Sequence, residues 1–207
     1  MSEHASDSES GPASSDSPAS SDGHASKDGH AGVGGPGTLA DGGTPAGPEA
    51  LFAKLRALGI ATETLEHEPV FTVEEAKRLR GELPGGHTKN LFLRNKKGRM
   101  WLVVCLEDRE IDLKALGEQL ESGRLSFASA DRLMKYLGVV PGAVTPFAAL
   151  NDTQGQVQVM LDRGMLETHS RLNFHPLDNA MTTGIAPGDL VAFLRAVDHA
   201  PGYLDLG

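Results

Sequence analysis

The sequence predicts a mixed α/β domain of the α+β kind, with a largely antiparallel sheet surrounded by helices. Three observations predict it. First, residues 87–94 and 100–106 are short apolar runs rich in aromatic and β-branched residues, separated by Lys96-Lys97-Gly98; they read as a β-hairpin. Second, the order along the chain is helix, strand, helix, hairpin, helix, strand, helix, loop, several strands, helix. Third, no Phe, Trp or Tyr occurs before Phe52, so the folded part begins near Pro48.

Residues 1–47 are Ser, Gly, Asp, Ala, Pro and His with hardly a bulky apolar side chain. Such a segment cannot bury enough surface to offset its chain entropy and is expected to be a disordered tail. Residues 48–207 are long enough to bury a core of their own and are read as one domain. Pro48 opens a helix with Leu51, Phe52, Leu55 and Leu58 on one face, and Gly59 stops it. Residues 60–65 alternate as a strand, and Glu66-His67-Glu68-Pro69 is a turn. Thr72-Val73-Glu74-Glu75 is a capping box that starts a short helix through Arg80, carrying Lys77, Arg78 and Arg80. With glycines 81, 85 and 86 after it, this helix reads either as a mobile lid or as a plain solvated surface helix.

The second hairpin run is apolar on both faces and belongs in the middle of a sheet. Asp112 caps the next helix, with Leu113, Leu116 and Leu120 inward and Gly123 at its end. Residues 125–127 form a brief strand, and Ser129 caps a helix with Leu133, Tyr136 and Leu137 inward. Gly138 terminates that helix and begins a loop over residues 139–147, shaped by glycine and proline. Residues 156–161, 171–177 and 179–185 read as strands, with Pro176 placing the end of the second near an edge. Pro187 starts the last helix, with Leu190, Val191, Leu194 and Val197 inward.

The formal net charge is -9, and the first 47 residues carry most of it, with seven acids against Lys27. The domain itself is mildly acidic, which argues against indiscriminate coating of nucleic acid. A local basic run remains in Lys89, Arg94, Lys96, Lys97 and Arg99. The single cysteine, Cys105, lies in an apolar run; a disulfide framework is excluded and the thiol reads as a core residue. No signal peptide and no membrane-length apolar run is present, so a cytoplasmic location is expected.

No P-loop, dinucleotide fingerprint or nucleophile elbow occurs. His169 and His175 are the only close pair of ordered histidines, without a supporting cysteine, so neither a metal site nor any cofactor is expected. What remains is a set of polar residues at the ends of apolar strands: Lys89, Asn90, His175, Thr182 and Thr183, with the shaped loop of Gly138, Pro141 and Gly142. Such a set suits stabilising an oxyanion or positioning a water without a protein nucleophile. Each member has a plainer reading as well: Lys89 as a solvated strand end, His175 as a hydrogen-bonded structural histidine, Thr182-Thr183 as β-propensity.

Three segments carry a resemblance: Thr88-Lys89-Asn90-Leu91-Phe92-Leu93; residues 138–147, with Gly138, Pro141, Gly142, Val144, Thr145, Pro146 and Phe147; and Asn173-Phe174-His175-Pro176-Leu177 with Asn179, Thr182 and Thr183. In this order they resemble the YbaK/ProX family, which comprises the editing insertion of bacterial prolyl-tRNA synthetases and its free-standing relatives. The resemblance covers about residues 49–199. It implies a mixed sheet or open barrel wrapped by helices, and metal-free hydrolysis of the ester joining a mischarged amino acid to tRNA.

The resemblance also implies roles. Lys89 matches the family's essential lysine, Asn90 its neighbour, Gly138 to Gly142 its glycine-proline loop and His175 its late histidine; Arg124 matches an arginine that reads the acceptor stem. Val144, Thr145, Phe174, Thr182 and Thr183 are then expected to bound the amino-acid pocket, and Lys77 and Arg80 to join Lys89 and Arg124 on tRNA. The segments are similar to the branch that acts on alanyl-tRNA(Pro). The alternatives are a member acting on serine or cysteine, or a tRNA-binding module without activity. A double sieve explains the need for such an activity, because a proline site rejects the smaller alanine by only about 1–3 kcal/mol. Expected partners are tRNA(Pro) mischarged with alanine and, transiently, prolyl-tRNA synthetase or an elongation factor. A monomer with no membrane association is expected.

Overall fold

The hairpin is the spine of the domain. In the computed structural model, which describes residues 37–67 and 83–207, β2 (Gly86–Asn95) runs antiparallel to β3 (Met100–Leu106), with Lys89 opposite Cys105 and Leu93 opposite Trp101. Asn95 closes the turn: its Oδ1 accepts from the amides of Lys97 and Arg99, at 3.0 and 3.1 Å. Gly98 takes the left-handed conformation that the turn needs (φ +84°). Apart from its last residue, β3 is buried along its whole length, because strands flank it on both sides.

The other strands are β1 (Glu63–Glu66), β4 (Leu125–Phe127), β5 (Val157–Asp162), β6 (Leu172–Phe174), β7 (Met181–Ile185) and β8 (Gly202–Leu204). The sheet order is β1-β7-β6-β2-β3-β5-β8, with β4 also paired to β2. The β1–β7, β6–β7, β2–β3 and β2–β4 pairs are antiparallel; β2–β6, β3–β5 and β5–β8 are parallel.

Helices cover both faces. They are α1 (Pro48–Ala57), α2 (Leu113–Gln119), α3 (Ala130–Leu137), α4 (Arg163–Thr168) and α5 (Pro187–Ala196), with a 3-10 helix at Pro146–Asn151. Asp112 and Ser129 cap α2 and α3 as their sequence implies, accepting from the amides of Lys114 and Arg132. On one face Phe92, Leu102, Val104, Phe147, Phe174 and Phe193 pack with Leu51 and Leu55. Leu93, Trp101, Val103, Leu116, Leu125 and Leu204 pack on the other.

Several expectations are corrected. Pro176 does not mark an edge: β6 stops at Phe174, before the proline, and lies inside the sheet between β7 and β2. The loop after Gly138 gives way to the 3-10 helix at Pro146. Neither α4 nor β8 was expected from the sequence. The fold also begins before Pro48. Leu39 is buried, the Ala40 amide donates to the Lys135 carbonyl at 2.7 Å, and the Ala46 amide donates to Asn151 Oδ1 at 2.8 Å. Polar sequence misleads here because the segment is held mainly by hydrogen bonds. The expected helix with Lys77 and Arg80, and residues 1–36, lie outside the described residues.

Candidate active site

β2 changes partners along its length. Gly86 and His87 pair with β6, and Leu93 to Asn95 pair with β4 on the same edge. Between them residues 88–92 have no strand partner on that edge among the described residues, which leaves a split in the described sheet. The expected strand-end residues Lys89 and Asn90 both lie in the split. They do not point together, because the pleat sends neighbouring side chains to opposite faces.

Asn90 faces the loop. Its Nδ2 donates to the Val144 carbonyl at 3.0 Å, while its Oδ1 is buried without a hydrogen-bond partner among the described residues. The loop is shaped by a turn in which the Ala143 amide donates to the Val140 carbonyl at 3.0 Å, with Pro141 second and Gly142 third at φ +92°. Proline followed by a positive-φ glycine is the requirement of a type II turn. Gly142 is exposed, and a Cβ there would meet only Asn179 Nδ2, at 3.9 Å.

The loop residues do not share one role. The Gly138 amide is used in ending α3, donating to the Met134 carbonyl at 2.9 Å. Its φ of +65° forms the helix cap, and a Cβ would strike Asn151 Nδ2 at 2.6 Å. Gly138 therefore cannot offer its amide to an ester. Thr145 is fully buried and caps the 3-10 helix through the Phe147 amide. Phe174 is 2 % exposed and meets Phe147 edge-to-face at 5.8 Å. Both belong to the core and not to a pocket wall. Val144 remains partly exposed.

His175 leaves the end of β6. Its Nδ1 lies 2.9 Å from the Met181 carbonyl. A carbonyl only accepts, so Nδ1 carries the proton and Nε2 of the neutral ring is an acceptor. Burial lowers the His175 pKa, outweighing the stabilising carbonyl, and the nearby His67 acts in the same direction as burial. The return to β7 is tight: Leu177 adopts φ +68°, and Asp178 Oδ1 accepts from the Ala180 amide at 2.8 Å. Thr182 and Thr183 diverge across the pleat. Thr182 Oγ1 lies 3.0 Å from His67 Nε2; Thr183 Oγ1 lies 2.8 Å from Thr64 Oγ1, fully buried. The His67 and His175 rings are 6.5 Å apart.

Three sets of contacts form the arc: Asn90 with Val144, Gly142 with Asn179, and His67 with His175 and Thr182. Asn179 has no role in the sequence reading, and His67 is there part of a turn. Nothing local marks His67, which reaches the arc only because β1 pairs with β7. Lys89 stands on the far side of β2, its Nζ donating to the Arg109 carbonyl. Opposite it, Cys105 is wholly buried, and burial pushes its thiol up to about 11, which leaves it protonated and inert. Arg124 is exposed beside Lys114, Glu118 and Glu121. Its neighbour Leu125 pairs with Asn95, six residues down β2 from Lys89, or about 20 Å at strand spacing. The structure does not bring Arg124 to the arc.

The arc offers an exposed loop glycine, an imidazole held neutral and a half-buried asparagine whose Oδ1 is shielded from solvent. These are the components that position a water and receive a developing oxyanion. Among the described residues no group of three or more His, Cys, Asp or Glu side chains is placed to hold a metal ion.

Comparison with known proteins follows the same outline. Residues 67–193 match the family model described as aminoacyl-tRNA editing domain. The chain is 43% identical over 149 residues to the prolyl-tRNA editing protein ProX of Acetoanaerobium sticklandii, covering 72% of this chain and 90% of that one. It is 43% identical over 156 residues to the prolyl-tRNA synthetase associated domain-containing protein 1 of Mus musculus, covering 73% and 92%. A solved structure, described as that of a proposed trans-editing enzyme for prolyl-tRNA synthetase, superposes with a TM-score of 0.61. It is 19% identical and covers 77% of this chain and 95% of that one, a likeness of fold.

Proposed function

The chain belongs to the aminoacyl-tRNA editing domain family, and from this premise we propose that it is a trans-editing deacylase that hydrolyses alanine from mischarged tRNA(Pro). In the coarser sense, its relatives support editing of errors made by prolyl-tRNA synthetase. The observation that supports the finer reading is the Asn90–Val144 hydrogen bond, which ties the middle of β2 to the loop whose Gly142 turn lies beside Asn179.

An aminoacyl ester is already activated, so orientation and charge stabilisation suffice without a protein nucleophile or a metal. In this proposal Asn90 anchors the loop through the Val144 carbonyl, and the Gly142 turn presents its backbone to the ester oxygen. Neutral His175 accepts from the attacking water through Nε2, and the vicinal hydroxyl of the terminal ribose assists. Lys89, on the other face of β2, holds the terminal nucleotide by its charge where the acceptor end crosses the edge that residues 88–92 leave unpaired among the described residues. Val144, partly exposed beside Asn90, limits the side-chain space to about a methyl group, which admits alanine and excludes the proline ring.

The experiment is single-turnover hydrolysis of tRNA(Pro) carrying alanine, serine, cysteine or proline, with and without EDTA. The expected result is release of alanine, prolyl-tRNA left intact and no effect of the chelator. Faster release of serine or cysteine would move the protein to another substrate branch. Binding without turnover would make it a recognition module.

A further inference from the structure

We propose that Arg109 and Asp162 are positioning residues for Lys89. The inference rests on the deacylase reading, in which Lys89 contacts the substrate. Lys89 pairs with Cys105 across β2 and β3, and the β3–β5 register, with Val104 beside Leu161, sets Cys105 next to Asp162. The three positions form one row on one face of the sheet, with a lysine at one end and a carboxylate at the other.

Asp162 is 1 % exposed. Its Oδ1 accepts from the Gly164 amide at 3.3 Å, capping α4, and its Oδ2 lies 3.6 Å from Arg109 Nε. Neither Oδ2 nor Nε has a hydrogen-bond partner among the described residues. A helix cap alone does not account for a second buried carboxylate oxygen facing a guanidinium; a buried charge needs its counterion. Gly164 leaves the space, since a Cβ there would meet Arg109 Nη2 at 3.2 Å. Arg109 also turns the chain after β3, its amide donating to the Leu106 carbonyl at 3.2 Å. The guanidinium is thus seated by Asp162, and the backbone carbonyl of the same residue receives Lys89 Nζ. Asp162 acts on Lys89 through Arg109, by aiming that carbonyl, with no contact to substrate of its own.

The test is a double-mutant cycle on alanyl-tRNA(Pro), read by single-turnover rate and by affinity for uncharged tRNA(Pro). Asp162→Asn keeps a capping oxygen and removes the charge; Arg109→Gln, at a partly exposed side chain, carries the test if the buried variant fails to fold. Each is expected to slow hydrolysis roughly 10- to 100-fold, the cost of a small misplacement, with affinity for uncharged tRNA(Pro) changed no more than Lys89→Met changes it. Arg109→Lys is expected to restore most of the rate. In a Lys89→Met background neither substitution slows the reaction further. Unchanged rates, or losses that add fully to that of Lys89→Met, would overturn the proposal. A wild-type protein that releases no alanine would instead overturn the deacylase reading beneath it.

Discussion

Asn90 Nδ2 donates to the Val144 carbonyl at 3.0 Å, joining the middle of β2 to a loop 54 residues further along the chain. The contact lies where β2 has no strand partner on one edge among the described residues, so no described ladder holds the loop in place. Asn90→Ala is expected to cost about 1 kcal/mol of stability and a larger share of the deacylation rate. Asn90→Asp sets a carboxylate against a carbonyl and is expected to be worse on both counts. Denaturant unfolding beside single-turnover hydrolysis measures the two; a rate that follows stability alone would deny the loop a catalytic part.

Phe174 and Val144 separate packing from selection. Phe174→Ala opens a hole against Phe147 and is expected to destabilise the domain by about 3–5 kcal/mol without admitting larger amino acids. Val144→Ala is expected to retain most of the stability and to gain hydrolysis of prolyl-tRNA(Pro). If neither gains it, selection against proline resides elsewhere.

A buried pair sets the pH range of stability. His199 Nε2 lies 3.0 Å from Asp152 Oδ2, and its Nδ1 lies 2.8 Å from the Val197 carbonyl, so the ring is held with both nitrogens protonated. Burial is the largest single influence and opposes the charge on His199, but the hydrogen bonds to Asp152 and the Val197 carbonyl, with the charges of Asp152 and Asp198, together outweigh it and raise the pKa. Burial of Asp152 is likewise outweighed, by His199 and the Gln156 and Val157 amides, and its pKa falls. By linkage, the His199 contribution is complete below its ordinary value of 6.5 and is lost as pH rises through the raised folded value. The Asp152 contribution is present above its ordinary 3.8 and is lost as pH falls through the lowered folded value. Melting temperature is therefore expected to be highest between these limits, and His199→Gln should flatten the alkaline decline. An unchanged slope in that variant would assign the decline to another group.

Truncation distinguishes the composition of the first residues from their contacts. A chain beginning at residue 37 is expected to melt with the full-length protein. One beginning at Pro48 loses Leu39, the Ala40–Lys135 and Ala46–Asn151 hydrogen bonds and the contact of Thr153 with Asp41. It is expected to lose about 2–4 kcal/mol. Equal melting of the two would put the boundary back at Pro48.

Arg124 lies about 20 Å along β2 from Lys89, so its removal should weaken tRNA binding and leave the rate on bound substrate unchanged. Lys89→Ala should lower that rate. A fall in the single-turnover plateau with Arg124→Ala would place this arginine in the chemistry.

The sequence by itself determined what depends on neighbours a few residues apart. Asp112 and Ser129 cap their helices, Gly138 ends one, Pro48 and Pro187 start two, and residues 86–106 close on their own turn. The uninterrupted apolar run of β3 likewise announced a strand covered on both faces. The arrangement of the site was less legible. Lys89 and Asn90 are adjacent letters on opposite faces of a pleat. Thr145 and Phe174 sit beside site residues and are turned into the core, while His67 enters through the pairing of β1 with β7. The short α4 and β8 were too brief to show a period, and β8 exists only because β5 offers it an edge. Caps and turns are settled by local hydrogen bonds, which travel with the sequence. Which strands meet, and therefore which polar groups share a cleft, is settled by burying the apolar faces together, and only the tertiary structure decides that.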